Sequence, residues 1–309
     1  ETLASFGANL GINDLEAVSM ANEICNANSL DTISTGVSIG FAMECFEQGL
    51  LTKNDTGGIN LTFGNSEAML EVLELIVKRE GIGNLLAEGV ARAAAKIGGN
   101  SKEFAIHVKG LEMGMHEPRL KRGLGLGYAV AAHGADHGTG LHDTLFVSKS
   151  ANLKGINALG YMNPLPAEDM KARKVSLFTD LNKWRNFQDS LVCCYFVPFG
   201  MSRTIDLLNA VTGWNTTVYE AMKVGERGIH MARLFNIREG FSAKDDYLPP
   251  RMHIPPLKGP LKEGIPKEDL QEAIGLYYDE MGWSEDGVPK VTTLEKLEIE
   301  WACQWTKGK

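Results

Sequence analysis

The sequence predicts a mainly α fold with two packed helical domains and little sheet. Three observations carry that expectation. Apolar residues recur at three- and four-residue steps over most of the 309-residue chain. Helix-start and helix-stop signals bracket those runs. Strand-like alternation is confined to Phe104–Val108.

The elements follow in order. Ala17, Val18, Ala21, Ile24 and Cys25 give one buried face between Asn13 and Asn26, with Asn13 and Glu16 as a capping box. A second helix is expected from Asp31 to about Gln48, stopping at Gly49. Its Gly36 and Gly40 beside Ser34 and Ser38 predict close approach by another helix. A third runs from Asn65 to about Arg79. An Ala-rich fourth runs from Leu85 to Ile97 and closes on Gly98-Gly99. Eight glycines then fall between Gly110 and Gly140, and flexible loops are expected around Gly123–Gly140. A domain boundary is placed at Val108, giving units 1–107 and 108–309. Helices resume over Ala167–Asp189 and Thr217–Phe235, the latter capped by Thr217 and Glu220. Six prolines between Tyr247 and Pro266 predict surface coil. Short helices near Lys267–Met281 and Thr293–Trp301 complete the chain.

Composition narrows the function classes. Hydrophobic residues make up 44% and charged residues 23%, which is ordinary for a globular protein. A net charge of −8 opposes contact with phosphate backbones, so no nucleic acid is expected. No apolar run reaches the roughly 18 residues that cross a bilayer, so no membrane is expected. The five cysteines, Cys25, Cys45, Cys193, Cys194 and Cys303, include no C-x-x-C pair. They point to a reducing cytoplasm rather than a disulfide framework or a self-contained zinc site. The opening Glu-Thr-Leu-Ala-Ser-Phe-Gly, without a signal peptide or initiator Met, reads as the interior of a longer chain.

Three segments could carry chemistry. His116, His133, His137 and His142 share a Gly-rich window with Glu117, Arg119, Asp136 and Asp143. Such a window suits a site with groups that titrate near neutral pH, or a surface loop whose histidines cap helices. Asp189-Ser-Leu-Val-Cys-Cys194 ends an apolar helix. Its cysteines are either small core residues or thiolate ligands whose partners lie elsewhere. Asn26-Ala-Asn-Ser-Leu-Asp31 has the same outline and is either a capped turn or an equivalent binding corner, related to the first by an approximate dyad. A zinc hydrolase built on the histidines is disfavoured, because no H-E-x-x-H spacing is present.

Further segments carry a resemblance. They are Ala8–Leu15, Leu30–Gly36, Phe41–Cys45, Arg79–Gly83 with Leu86–Gly89, Gly123–Ala129, Leu207–Trp214, and Gly225–Arg227 with Ala232–Asn236. In that order they resemble the two helical domains of the tungsten-containing aldehyde:ferredoxin oxidoreductase family over essentially the whole chain. The resemblance implies an enzyme that oxidises an aldehyde or related oxo compound. Electrons would pass through a [4Fe–4S] cluster to ferredoxin, from a tungsten bis-pterin of the molybdopterin type. The family's β-rich N-terminal domain and its C-x-x-C-x-x-x-C run are absent from this sequence. The chain alone is therefore expected to be inactive and to need that domain as a partner. The rival expectation is a non-catalytic helical binding or assembly subunit that lost the cofactor domain.

Residue roles follow from the resemblance alone. The family's D-x-x-G-L-C motif falls on Asp189 through Cys194, making Cys194 the one cluster ligand in this chain. Its D-x-x-G-L-D motif falls on Asn26 through Asp31. Val192 and Ser29 stand where glycine is usual, Cys193 where leucine is, and Asn26 where aspartate is. Asn26, Leu30, Asp31, Asp189 and Cys193 are the implied pterin contacts. His137 matches the active-site histidine and Glu1 the active-site glutamate, a general base. Asp136, His142 and Asp143 are substrate-pocket candidates by spacing. The iron-bridging Glu and His of some members fall on Met20 and Leu70, so any homodimer is expected to lack that iron.

Overall fold

A computed structural model describes residues 1–197 and 199–306. It is mainly helical, and the one sheet among the described residues has two strands. The chain divides into two compact units. The first holds residues 1–116 with 133–136 and 248–251, and the second holds the rest.

The first unit opens with a π-helical turn, Leu3–Ala8. Helix α1 (Leu15–Ala27) starts one residue later than the sequence suggested. Asp14, not Asn13, is its cap: Asp14 is extended and its carboxylate accepts the Ala17 N–H at 3.0 Å. Helix α2 (Thr32–Glu47) is capped by Asp31, which accepts the Ser34 N–H at 2.6 Å. Ten of its residues are buried, so it forms the centre of the unit. Gly36 and Gly40 permit the close approach foreseen, and the partner is the opening turn. A Cβ on Gly36 would come within 2.8 Å of Ser5, and one on Gly40 within 2.8 Å of Asn9.

Helix α3 (Ser66–Lys78) begins on the Asn65 cap and ends at left-handed Arg79. The single helix expected over Leu85–Ile97 is instead two, α4 (Gly81–Leu86) and α5 (Val90–Ile97). Gly89, at φ +82°, turns the chain between them, and Glu112 accepts the freed Val90 N–H at 2.7 Å. The alternation over Phe104–Val108 suits one strand or an extended linker, and only its end is strand: β1 (His107–Val108), paired antiparallel with β2 (Leu111–Glu112).

The second unit corrects the expectation of loops around Gly123–Gly140. Helix α6 (Arg122–Val130) overlaps that segment, and every residue from Gly123 to Val130 is buried. Its glycines serve packing. Cβ atoms at Gly123 and Gly127 would meet Leu141, Asp143 and Phe178 at 2.4–3.0 Å. After the short α7 (Ala151–Gly155) comes α8 (Ala172–Ser190), the long central helix. Helix α9 (Met201–Thr212) was missed in the sequence. Its Leu207 and Val211 are exposed. Helix α10 (Val218–Glu239) has the full capping box of Thr217 and Glu220. It crosses α8 so closely that a Cβ on Gly225 would sit 1.8 Å from the Lys183 carbonyl oxygen. Helices α11 (Lys267–Glu280) and α12 (Val291–Lys296) and a 3₁₀ turn over Glu300–Thr306 close the unit.

Candidate functional site

The two hexapeptides flagged in the sequence fold into the same corner. In Asn26–Asp31 the Asn28 N–H donates to the Ile24 and Cys25 carbonyls, Ser29 to Asn26, and Leu30 back to Cys25. In Asp189–Cys194 the Leu191 N–H donates to Phe187 and Gln188, Val192 to Asp189, and Cys193 back to Gln188. The pattern agrees bond for bond. The fourth residue is left-handed in both, Ser29 at φ 56° and Val192 at φ 54°. Neither is glycine, although this conformation disfavours any Cβ and a β-branched one most.

Exposure also matches. Asn26 and Asp31 are exposed with Leu30 half-buried between them, and Asp189 and Cys194 are exposed with Cys193 half-buried. Each corner therefore offers polar or soft donor atoms at its ends. Asp31 and Leu30 line a cleft of about 250 Å³ with Ser34, Thr35, Ser38 and Glu112. Cys25 lies one residue before its corner yet is no donor, since burial pushes its thiol up to about 11. Cys45 is pushed to about 12 for the same reason.

The first unit also holds Glu1 in a defined position. Its carboxylate receives His116 Nε2 at 2.8 Å and the Met115 N–H at 2.9 Å. His133 Nε2 meets Asp136 Oδ2 at 3.0 Å. Asp136, a pocket candidate, is thus engaged by a histidine three residues away.

In the second unit the histidine loop connects to the cysteine corner through aromatic groups. The His137 and His142 rings meet edge-on at 6.4 Å between centroids. His142 Nδ1 lies 3.4 Å from Lys121 Nζ, and its ring is 6.2 Å from that of Tyr195. The Arg185 guanidinium stacks 3.8 Å from the Tyr195 ring centroid. Arg185 Nε is 3.5 Å from Asp189 Oδ1. Burial raises the Tyr195 hydroxyl above its usual range, against the opposing pull of Arg185.

Tyr195, Arg185 and Lys121 were not singled out in the sequence. The one available signal was a tyrosine directly after a paired cysteine. Asp143 differs from the other candidates because no part of it reaches solvent. Lys174 Nζ contacts its carboxylate at 2.6 Å, and the Gly123 and Leu124 N–H groups donate at 3.1 and 2.9 Å. It holds the start of α6 on α8. Met20 is exposed on α1 and Leu70 packs against the core.

Residues 1–299 match the family model described as aldehyde ferredoxin oxidoreductase, domains 2 & 3. The chain is 38% identical to a tungsten-containing aldehyde ferredoxin oxidoreductase of Pyrococcus furiosus, over 96% of this chain and 47% of that protein. It is 34% identical to the WOR-like subunit of an aliphatic sulfonate oxidoreductase from the same organism, over 97% of this chain and 45% of that one. The chain thus spans about half the length of the curated relatives it matches. Among solved structures it resembles the active site complex BamBC of benzoyl coenzyme A reductase, in complex with 1,5-dienoyl-CoA. The TM-score is 0.79 at 21% identity, covering 98% of this chain and 49% of that one, a likeness of fold.

Proposed function

Because the chain belongs to the aldehyde ferredoxin oxidoreductase family, as its domains 2 and 3, we propose that it is part of a tungstopterin oxidoreductase. In this reading the whole protein oxidises an aldehyde or related oxo compound and passes electrons through a [4Fe–4S] cluster to ferredoxin. The division into 1–107 and 108–309 as the family's two helical domains, and a reducing cytoplasmic location, belong to the same proposal.

The observation that carries the reading is the shared corner. Two helix ends of different sequence keep one hydrogen-bond pattern and one left-handed residue, at the cost of a strained valine. A fold tolerates such strain where backbone shape is needed for binding. The donors fit the groups assigned to them. Cys194 presents an exposed thiol, a suitable soft ligand for iron, and a cubane needs three more thiolates from outside this chain. Asn26, Leu30 and Asp31 on one corner, and Asp189 and Cys193 on the other, would each hold a pterin. Asn26 brings an amide that both donates and accepts where an aspartate only accepts. The bound tungstopterin and cluster supply the redox chemistry.

The protein's own groups do the rest. Glu1 takes a proton from water as general base. His137 donates a hydrogen bond to the substrate carbonyl or passes a proton. His142, tied to Lys121 and Tyr195, and Asp136, tied to His133, shape the substrate side. Asp143 acts at one remove by fixing α6.

The test uses the full-length protein purified without oxygen. One tungsten and about four irons per chain are expected, as one pterin centre and one cubane require. A His137→Ala variant should keep that metal and lose turnover with aldehydes. Retained turnover would reject the role of His137. Metal-free, folded protein would reject the oxidoreductase reading in favour of a binding or assembly subunit.

A further inference from the structure

The histidine window contains one member for which the reading above has no use. His116 is neither the proposed carbonyl-binding histidine nor a pocket candidate, yet it makes a short contact to the proposed base. Its Nε2 lies 2.8 Å from Glu1 Oε1, and the Met115 N–H reaches Glu1 Oε2 at 2.9 Å. Two adjacent residues thus engage both oxygens of one carboxylate. The side chains are 25% and 23% exposed, so solvent screens the pair only in part. The neighbouring acids along the chain are committed elsewhere. Glu112 accepts from Val90 N–H, and Glu117 is held by Arg119 through both oxygens.

We propose that His116 is the positioning residue of Glu1: with the Met115 N–H it clamps the carboxylate, keeping it ionised and aimed. The proposal rests on Glu1 acting as the base. A donor to each oxygen favours the anion over the acid. The imidazole donates from Nε2 whether neutral or cationic, and the bond is stronger in the cation. Each partner therefore stabilises the charged form of the other. The pair is coupled, so removing either partner moves the titration of the other, in opposite directions. A histidine present only as packing would not show this.

The test is NMR titration of the Glu1 carboxyl carbon and the His116 ring carbon in the 309-residue chain, carrying a short neutral leader so that no terminal amine adjoins Glu1. Glu1→Gln is expected to lower the His116 midpoint by about one pH unit, as expected for loss of a partly exposed opposite charge. His116→Ala should raise the Glu1 midpoint. His116→Gln, which keeps an amide donor without a titrating group, should leave Glu1 nearer its original midpoint than Ala does and guards against a folding defect in the alanine variant. Unchanged midpoints, or shifts in the reverse directions, would overturn the clamp and leave the base role of Glu1 untouched. Reciprocal shifts together with full turnover in full-length Glu1→Gln enzyme would keep the clamp and remove the base.

Discussion

Ser29 and Val192 stand at the same place in two corners of different sequence, and their φ angles differ by two degrees, 56° and 54°. The valine is the costlier. It is 94% exposed, so its side chain recovers almost nothing by burial. Val192→Gly is expected to stabilise the chain by about 0.5–1 kcal/mol. That is left-handed strain of about 1–2 kcal/mol relieved, less the added flexibility of glycine in the unfolded chain. Urea denaturation at constant m value measures it. A loss of stability would show that the strain is absent.

The Asp143–Lys174 pair is wholly buried, so breaking it should be costly. Lys174→Met leaves an uncompensated carboxylate in the core and should cost about 3–5 kcal/mol. Adding Asp143→Asn should recover part of that loss. Denaturation of the two variants decides. A single variant within ~1 kcal/mol of the wild type would contradict the pairing.

His107 gives a pH dependence. Burial holds its pKa below the usual histidine value, and its Nδ1 accepts the Gly110 N–H at 3.3 Å across the hairpin turn. The folded state therefore binds its proton less readily than the unfolded state. Stability from this group is present above about pH 6.5 and is lost as pH falls through the folded pKa. The denaturation midpoint of the wild type should drop more between pH 7.5 and pH 5.5 than that of His107→Gln. Equal drops would assign the acid sensitivity to other groups.

The helices were legible where capping and periodicity agreed. Thr217 with Glu220, Asp31 before α2 and Asn65 before α3 sit at the boundaries their chemistry dictated. The reading failed where a distant partner decided. Nothing near Gly89 in sequence reveals that Glu112 will take the Val90 N–H and let the chain break there. The glycines of α6 looked like loop glycines because their use is the surface of α8, some fifty residues onward. Of the candidate site, local pattern exposed the two hexapeptides and the histidine window. Asp143 shared that window but serves the core. Tyr195 and Arg185 stayed hidden because their importance lies in a stack that no linear spacing encodes.

Gly225 leaves the Lys183 carbonyl no room for even a methyl group on the facing helix. Two helices in such contact behave as a keyed joint, able neither to slide nor to rotate without separating. The cysteine corner is the free end of one of them. Its position relative to α10 therefore depends on the close approach of Gly225 to Lys183 and Phe187, within six residues of Asp189. A Gly225→Ala substitution touches no donor atom and lies outside both hexapeptides, yet it would shift the proposed iron ligand by forcing the joint open.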